Sequence, residues 1–300
     1  MTKHFINLDD LSTDDLAKII DNAIKLKQQH KAGEINNTLK NKTLAMIFDK
    51  SSTRTRVSFE AGMTQLGGHS LFLSDRDIQL GRGEPIVDSS IVISSMVDAV
   101  MMRISSHEDI NTFANNSSVP IINALSDESH PCQLLADMMT YQEHVGNIKG
   151  KTVAWVGDGN NMCHTYMQAA KAFEFKLNIA TPDGYKPDQS FTEKYANCIN
   201  LFDNAKDACT DVDLVVTDVW ASMGQEAEQA KRELAFKNFQ VNEDLMENAK
   251  DSSVFMHCLP AHRGEEVSAG VIDGKQSLVW SEAENRLHAQ KALLLYLLDK

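Results

Sequence analysis

The stretch Phe48-Asp-Lys-Ser-Ser-Thr-Arg-Thr-Arg56 separates two segments of different hydrophobic periodicity. Before it, the short apolar run Thr43 to Phe48 (TLAMIF) is typical of a buried parallel strand. After it, apolar residues recur at helical spacing as far as Gly67-Gly68. The sequence therefore predicts a strand, a polar turn and a helix, with hydroxyl and guanidinium groups where the helix begins.

The start of this helix has the properties of an anion site. The first backbone N–H groups of a helix have no partners within the helix and carry the positive end of its dipole. Ser52, Thr53 and Thr55 add hydroxyl donors, and Arg54 adds a planar fork of N–H groups suited to phosphate. Taken alone, the motif equally fits an ordinary N-cap followed by a surface pair of Arg56 with Glu60.

Length and composition describe a globular chain with room for two domains. The chain has 300 residues, of which 42% are hydrophobic and 24% charged, so each domain can bury a core of its own. Its formal net charge of −13 argues against nucleic acid or an anionic membrane as a partner, because both select basic surfaces. Anionic substrates therefore require local clusters of Arg and His.

Two further features predict a cytoplasmic protein. The sequence contains no uncharged apolar stretch of membrane-spanning length, and its start, MTKHFINLDD, lacks the apolar core of a signal peptide. The cysteines are odd in number and form no C-x-x-C pair, which favours free thiols over disulfides or a zinc site. They are Cys132, Cys163, Cys198, Cys209 and Cys258.

The first half alternates strands and helices, and polar side chains follow the strands. After a helix over residues 12–31, the pattern predicts strands at 43–48, 69–73, 99–104 and 119–124 and helices from the turn after residue 48, over 86–96 and from residue 130. Arg103 ends one strand, and His130 and Gln133 open the helix after another. In open α/β sheets ligands bind beyond the carboxyl ends of the strands. Thr55, Arg103 and His130 together can supply several donors to one carbonyl oxygen. Taken alone, Arg103 equally fits an arginine that snorkels from a strand end, and a lone His130 more often fits a capping residue.

The pattern breaks near residue 146 and restarts with a second α/β repeat. A strand at 151–156 leads into Gly157-Asp-Gly-Asn-Asn161 and a helix over 162–175. This arrangement partly matches the dinucleotide fingerprint G-x-G-x-x-G, but Met162 replaces the third glycine and Thr181-Pro182 replaces the acidic residue expected on a ribose. A nicotinamide-dependent dehydrogenase is therefore a weaker alternative.

Two later strands end in polar motifs that the repeat places at one edge of a second sheet. We expect strands at 177–180, 214–217 and 253–258, and helices over 191–200, 227–238, 243–249 and 283–298. Asp218-Val-Trp-Ala-Ser-Met-Gly224 follows one strand, and His257-Cys-Leu-Pro260 ends another. A carboxylate at a strand end can hold an ammonium group, although a lone Asp there is more often a turn residue.

Taken together, these motifs resemble the aspartate and ornithine carbamoyltransferase family, and they follow the family's order over nearly the whole chain. Ser52-Thr-Arg-Thr-Arg56 resembles its carbamoyl-phosphate signature. Asp218-Val-Trp-Ala-Ser-Met-Gly224 and His257-Cys-Leu-Pro260 resemble its ornithine-binding motifs. The resemblance implies transfer of a carbamoyl group from carbamoyl phosphate to the δ-amine of L-ornithine, giving citrulline for arginine biosynthesis. It implies no metal and no cofactor.

The resemblance also implies a set of site residues. Those for carbamoyl phosphate are Ser52, Thr53, Arg54, Thr55, Gln79, Arg103, His130, Gln133, Cys258, Leu259 and Arg286. Those for ornithine are Asn161, Asp218, Ser222 and Met223, and the catalytic ones are Arg103, His130 and Cys258. In the family, the loop residue that Gln79 matches reaches the site of a neighbouring subunit, which implies a homotrimer or a multiple of trimers.

The fold that follows is α/β, with two domains that each contain a mainly parallel sheet flanked by helices. We expect residues 1–145 with 284–300 to bind carbamoyl phosphate, residues 146–283 to bind ornithine, and the C-terminal helix to pack back on the first domain. Three alternatives stay open: a carbamoyltransferase acting on putrescine, N-acetylornithine or aspartate, the dehydrogenase, and a binding protein that holds carbamoyl phosphate without turnover. The role of Cys258, as proton acceptor or only as a contact, stays open too.

Overall fold

A computed structural model of the chain describes residues 2–74, 83–221 and 228–299. The chain divides into two compact units, residues 1–139 with 284–300 and residues 140–283. Gln79, Ser222 and Met223, three of the residues expected to bind substrate, lie outside the described residues.

The first unit is built on a parallel sheet. Within the described residues its strands follow the order β2-β1-β3-β4, and β1 pairs in parallel with both β2 and β3. The strands are β1 Thr43–Phe48, β2 His69–Ser74, β3 Ala99–Arg103 and β4 Ile121–Leu125. The helices along this part of the chain are α1 Thr13–Lys31, α2 Thr53–Gln65, α3 Ile86–Ser94, α4 His107–Asn116 and α5 Pro131–His144.

The second unit repeats this design. Its described strands follow the order β7-β6-β5-β8-β9, and all of their pairings are parallel. The strands are β5 Thr152–Val156, β6 Lys176–Ala180, β7 Ile199–Phe202, β8 Leu214–Thr217 and β9 Val254–His257. The helices are α6 Asn161–Ala172, α7 Gln189–Lys194, α8 Ala205–Cys209, α9 Gln229–Phe236, α10 Glu243–Met246 and α11 Ala269–Ile272.

The strand orders place one topological switch point in each sheet. In the first sheet the direction of winding reverses between β1 and β3, and in the second between β5 and β8. Ligands of open α/β sheets bind in the crevice beyond the carboxyl ends of the strands at such a point. The segments that follow these four strands begin at Asp49, Ile104, Gly157 and Asp218, so the predicted motifs flank both switch points.

The last helix, α12 Val279–Leu297, returns to the first unit. Lys27 Nζ of α1 donates to Asn285 Oδ1 at 2.7 Å, and Lys291 Nζ donates to Gln65 Oε1 of α2 at 3.0 Å. Gly62 of α2 leaves room for α12, because a Cβ added there would lie 3.3 Å from the side chain of Lys291. The predicted fold class, including the return of the C-terminal helix, is confirmed.

One predicted segment is wrong, and the sequence prediction also lacks the ten-residue helix α4. The sequence predicts a helix over 191–200, but α7 ends at Lys194 and β7 begins at Ile199. Because β7 is a four-residue edge strand with partly exposed side chains, it has little of the apolar periodicity that marks a buried strand. The short helices α8 and α11 were too brief to give a periodic signal. Among the described residues, no helix combines the length and the apolar character needed to span a membrane.

Candidate active site

Polar side chains from the first unit gather at the carboxyl edge of its sheet. Phe48 at the end of β1 pairs with Arg103 at the end of β3, and Arg103 pairs with Leu125 at the end of β4. The turn before His130 is fixed by Ser126, whose backbone N–H donates to Ser129 O at 2.9 Å. The sheet therefore carries the start of α2, Arg103 and His130 on three adjacent strands, as the sequence predicts.

The start of α2 combines a capped turn with exposed polar groups. Ser52 is the N-cap, and its Oγ accepts a hydrogen bond from the Thr55 backbone N–H at 3.4 Å. Thr53 is exposed and Arg54 is partly buried, whereas the side chain of Thr55 is fully buried. Arg56 follows the simpler alternative, since its guanidinium bonds Glu60 at 2.9 Å and covers the ring of Phe72. The motif thus contains both a cap and a cluster of donors.

Arg286 of α12 joins this edge of the sheet. Its Nη1 donates to Gln133 Oε1 at 2.6 Å and its Nη2 to Thr55 Oγ1 at 3.3 Å. Gln133 in turn donates from Nε2 to Asp137 Oδ1 at 2.9 Å. All four side chains are at least 97% buried. A guanidinium from the end of the chain therefore lies beside residues that are 153 and 231 positions away in sequence.

Burial and three arginines keep His130 neutral. Burial, followed by the positive charges of Arg286, Arg103 and Arg54, holds the pKa of this imidazole well below its usual value of 6.5. The ring is therefore neutral at neutral pH and keeps one N–H to donate. The charges of three guanidinium groups act on this neutral imidazole, so the carboxyl edge of the sheet is locally positive in a chain whose formal net charge is −13. Local positive charge of this kind favours a small anion with several oxygen acceptors.

In the second unit, Asp218 lies at the switch point between β5 and β8. Its side chain is 7% exposed. Asn160 Nδ2 donates to Asp218 Oδ2 at 3.0 Å, and Oδ1 accepts from the Val219 backbone N–H at 2.8 Å and from Cys258 Sγ at 3.2 Å. Among the residues that the structure describes, no Lys, Arg or His nitrogen lies within ion-pair distance of this carboxylate. Asp218 is therefore oriented by neutral donors and keeps its charge available for a cation.

A second buried carboxylate beside it, Asp158, has its own cation. Arg232 Nη1 donates to Asp158 Oδ2 at 2.7 Å and to the Trp220 carbonyl at 2.7 Å. Burial raises the pKa of Asp158, the Arg232 guanidinium opposes that rise, and the nearby charge of Asp218 adds to it. One buried guanidinium thus connects the turn after β5 with the segment after β8. The tight turn needs Gly159, because a Cβ there would lie 2.2 Å from Pro187 N.

The end of β9 carries the His257-Cys-Leu-Pro260 motif. His257 is buried, its Nδ1 accepts from the Leu259 backbone N–H at 2.9 Å, and its Nε2 lies 3.1 Å from Glu266 Oε1. With Nδ1 acting as acceptor, the proton of the neutral ring lies on Nε2 and is donated to Glu266. Leu259 is held at a positive φ of 55°. These contacts fix the backbone on either side of Cys258.

The structure brings most of the predicted residues into two groups. In the first unit Thr55, Gln133 and Arg286 are in direct contact, and Arg54, Arg103 and His130 interact electrostatically. In the second unit Cys258 contacts Asp218. Asn160 bonds Asp218, whereas the sequence had singled out its neighbour Asn161, the first residue of α6. Asn160 could have been identified from the sequence as the N-cap of α6. No sequence pattern marked Asp158 or Arg232 as part of this site.

A metal is not required to explain the polar groups of the second unit. Within the described ranges, ligand atoms of Asp218, His257 and Cys258 lie within 4.8 Å of one another. Both ring nitrogens of His257 are already engaged, one with Leu259 N–H and the other with Glu266. The arrangement therefore fits a hydrogen-bonded network.

Comparison with known proteins assigns both units to one family. The family Aspartate/ornithine carbamoyltransferase matches with its carbamoyl-P binding domain over residues 3–143 and with its Asp/Orn binding domain over residues 149–297. The protein named ornithine carbamoyltransferase from Ruthia magnifica subsp. Calyptogena magnifica is 78% identical over 299 residues, covering 100% of both chains. That from Hydrogenovibrio crunogenus is 61% identical over 298 residues, covering 99% of both.

Solved structures agree with this assignment. The ornithine carbamoyltransferase of Burkholderia thailandensis aligns with a TM-score of 0.92 at 52% identity, covering 99% of this chain and 98% of the other. The enzyme of Pyrococcus furiosus aligns with a TM-score of 0.94 at 48% identity, covering 98% and 96%. The chain therefore belongs to the aspartate/ornithine carbamoyltransferase family.

Proposed function

We propose that this protein transfers the carbamoyl group of carbamoyl phosphate to the δ-amine of L-ornithine, giving L-citrulline and phosphate. The observation that carries the proposal is the gathering of donors at the carboxyl edge of the first sheet. Arg286 bonds Gln133 and Thr55 there, and the charges of Arg286, Arg103 and Arg54 act on His130. Full-length relatives named ornithine carbamoyltransferase, at 78% and 61% identity, support the choice of substrates. Family membership leaves the dehydrogenase alternative without support.

The first unit is proposed to bind carbamoyl phosphate. Ser52, Thr53 and Thr55 would donate from hydroxyl and backbone groups to the phosphate oxygens, and Arg54 would provide a bidentate contact. The capped start of α2 supports this role, because its N–H groups and dipole favour an anion there. By resemblance, Gln79 of a neighbouring subunit completes the phosphate site. As the bond to carbon breaks, these donors stabilise the charge that grows on the phosphate.

A second group of donors is proposed to act on the carbamoyl carbonyl. Thr55, Arg103 and His130 would donate to its oxygen as the oxygen becomes negative in the tetrahedral intermediate. A preorganised donor of this kind is worth roughly 3 kcal/mol in comparable sites. The low pKa of His130 supports this role, since the uncharged ring can still donate a hydrogen bond from its one N–H. Arg286 and Gln133 would hold the rest of the carbamoyl group, and the resemblance adds the Leu259 carbonyl to this set.

The second unit is proposed to bind ornithine. Asp218 would accept from the α-ammonium group, with Asn161, Ser222 and Met223 completing the amino-acid site by resemblance. The neutral partners of Asp218 support this role, because they orient the carboxylate without cancelling its charge. The δ-amine would then lie near Cys258. In domain terms, we assign carbamoyl phosphate to residues 1–145 with 284–300 and ornithine to residues 146–283.

The chemical step is attack of the neutral δ-amine on the carbonyl carbon. A C–N bond forms, and the C–O bond to phosphate breaks with its electron pair leaving on phosphate. The nitrogen loses one proton, which ends on the released phosphate. An alkyl amine is mostly protonated at neutral pH, so we expect activity to rise toward alkaline pH.

The product and the family favour a role in arginine biosynthesis. The odd number of widely spaced cysteines favours a location in the cytoplasm.

We also propose a homo-oligomer of three subunits or a multiple of three. Exposed apolar side chains of the first unit support self-association: Met96 is 75% exposed, Val57 58%, Ile91 54% and Val92 50%. β2 is an edge strand of its sheet, and Leu71 on it is 40% exposed. Apolar surface of this kind is typical of a contact between protein chains. Association is also required if Gln79 acts in a neighbouring site.

One experiment tests the reaction and its alternatives. The protein is incubated with carbamoyl phosphate and, in turn, ornithine, N-acetylornithine, putrescine and aspartate, and both ureido product and phosphate are measured. We expect equal amounts of both products with ornithine and none above background with the other amines. Preference for another amine would contradict the substrate assignment, and binding of carbamoyl phosphate without phosphate release would contradict catalysis.

A further inference from the structure

Gln290 occupies a buried position on α12, one turn after Arg286. The two residues are four apart, so their side chains share one face of the helix. Gln290 is fully buried and Arg286 is 3% exposed. A primary amide without solvent must find partners for its oxygen and its nitrogen within the protein.

The amide of Gln290 finds those partners on two helices. We assign the amide orientation from its surroundings, because only one orientation turns the oxygen toward donors and the nitrogen toward an acceptor. In that orientation the oxygen accepts from Arg286 Nε at 3.3 Å and from Arg286 Nη2 at 3.2 Å. Its nitrogen donates to Ser58 Oγ of α2 at 2.6 Å. Ser58 Oγ in turn lies 2.7 Å from the Arg54 carbonyl and 3.1 Å from the Thr55 carbonyl. The amide therefore connects the guanidinium of α12 to the first turn of α2.

From these contacts we infer that Gln290 is a positioning residue, which fixes the orientation of the Arg286 guanidinium relative to the start of α2. Through Arg286 it contributes to the binding of carbamoyl phosphate, and in this respect the inference rests on the function proposed above. Gln133 accepts from Nη1 of the same guanidinium at 2.6 Å, so two glutamines from different helices hold its opposite sides. The group then points a fixed set of donors at the site and needs no reorganisation when substrate binds.

The chemistry of an arginine side chain explains why these two contacts of the Arg286 guanidinium matter. Its long stem carries considerable rotamer freedom, and fixing the planar fork in advance reduces what is lost when the fork binds a ligand. Without Gln290, the Nε edge of a buried guanidinium loses an acceptor, and Ser58 loses its link to α12. The guanidinium would then turn toward other acceptors and away from the carbamoyl group.

Replacement of Gln290 by Leu tests this inference, since Leu keeps the bulk and removes both polar atoms. Dissociation constants are measured for carbamoyl phosphate and, separately, for inorganic phosphate, by calorimetry on the oligomer as isolated. We expect the constant for carbamoyl phosphate to rise about tenfold, the effect of losing one hydrogen bond to a buried charged group. The constant for phosphate should change less than about threefold, because phosphate lacks the carbamoyl group.

Gln65→Leu is the matched control. Gln65 also bridges α2 and α12, but it does so by accepting from Lys291 Nζ at 3.0 Å, five residues further along α12 than Arg286. Gln65→Leu should leave both constants unchanged, and Gln290→Asn, whose amide is one methylene too short, should repeat the effect of Gln290→Leu. Unchanged binding of carbamoyl phosphate in both Gln290 variants, or equal weakening of both ligands, would overturn the inference. Failure of the wild-type protein to bind carbamoyl phosphate would instead contradict the proposed function.

Discussion

Arg54 and Arg56 are two residues apart, yet their side chains have different surroundings. Arg56 bonds Glu60 and covers Phe72, whereas the charge of Arg54 acts on His130. We predict that Arg54→Ala lowers kcat/KM at least about a hundredfold, because a charged donor of the phosphate is lost. Arg56→Ala should stay within about threefold of wild type, because its ion pair is exposed. Steady-state kinetics and circular dichroism of both variants measure this, and wild-type rates in Arg54→Ala would refute the phosphate assignment.

Arg232 links two parts of the second unit. Its guanidinium is the cation of Asp158 and also holds the Trp220 carbonyl, two residues beyond Asp218. We predict that Arg232→Gln raises the KM for ornithine at least about tenfold, since removing one partner of a buried pair leaves an uncompensated carboxylate at the amino-acid site. The KM for carbamoyl phosphate should change little.

Arg263→Gln provides the comparison for Arg232. Arg263 also belongs to the second unit and forms two hydrogen bonds with Asp273, at 2.9 and 2.7 Å, but its side chain is 42% exposed. This variant should retain both KM values. If Arg232→Gln raised both KM values equally, or neither, the guanidinium would have no specific role in the ornithine site.

At the scale of elements, the positions of strand ends were predictable and the partners across the fold were not. Short apolar runs followed by polar turns identified β1 and β8 to the residue, because local hydrophobic spacing determines such boundaries. The contacts of Arg286 with Thr55 and Gln133 depend on the return of α12, which no local pattern records. Arg232 and Gln290 escaped notice for the same reason, since an Arg or Gln within a helix is ordinarily a surface residue.

The burial of His288 on α12 makes the stability of the folded protein depend on pH. Burial, with the positive charges of Lys291, Lys27 and His30, lowers the pKa of His288 to about 4, and Glu284 only partly opposes this. In the unfolded chain the imidazole has its usual pKa of 6.5, so the folded state loses stability as pH falls from about 6.5 to about 4. Above that window the contribution of His288 to stability is constant.

We predict that His288→Gln reduces the fall in Tm between pH 7.5 and pH 5, since the variant has no imidazole to protonate there. The Tm at pH 7.5 alone does not decide the matter, because the substitution also changes packing; the difference between the two pH values does. His144→Gln, an exposed position at the end of α5, serves as the reference variant. An equal fall in Tm for wild type and His288→Gln would exclude His288 as a source of acid sensitivity.

At the scale of the whole molecule, an acidic protein binds two substrates that differ in charge. The formal charge of −13 repels carbamoyl phosphate at long range, so its capture depends on the three arginines around His130. The same overall charge attracts the cationic ornithine. Because this field is long-range, salt weakens both effects, while the buried contacts in each site are screened much less. The local arginines thus act against the net charge of the protein at the carbamoyl-phosphate site, whereas Asp218 acts in the same sense as that net charge at the ornithine site.

Mixed oligomers of two inactive variants reveal whether subunits share active sites. Arg54→Ala and Gln79→Ala are each expected to lack activity, but they remove different parts of the phosphate site. If Gln79 acts in a neighbouring subunit, a mixed trimer contains one site with its own Arg54 and a neighbour's Gln79. Random mixing at equal amounts then restores about a quarter of wild-type activity, because three in four trimers are mixed and each has one intact site of three.

The mixture is prepared by dissociating and reassembling the two variants together, and each variant treated alone is the control. Light scattering establishes that the reassembled particle contains three chains or a multiple of three. Recovery well above the sum of the separate variants requires that Arg54 and Gln79 of one site come from different chains. Activity no greater than that sum, in a particle of the expected mass, would mean that each chain builds its phosphate site alone, and the exposed apolar side chains on α3 would then serve assembly without serving catalysis.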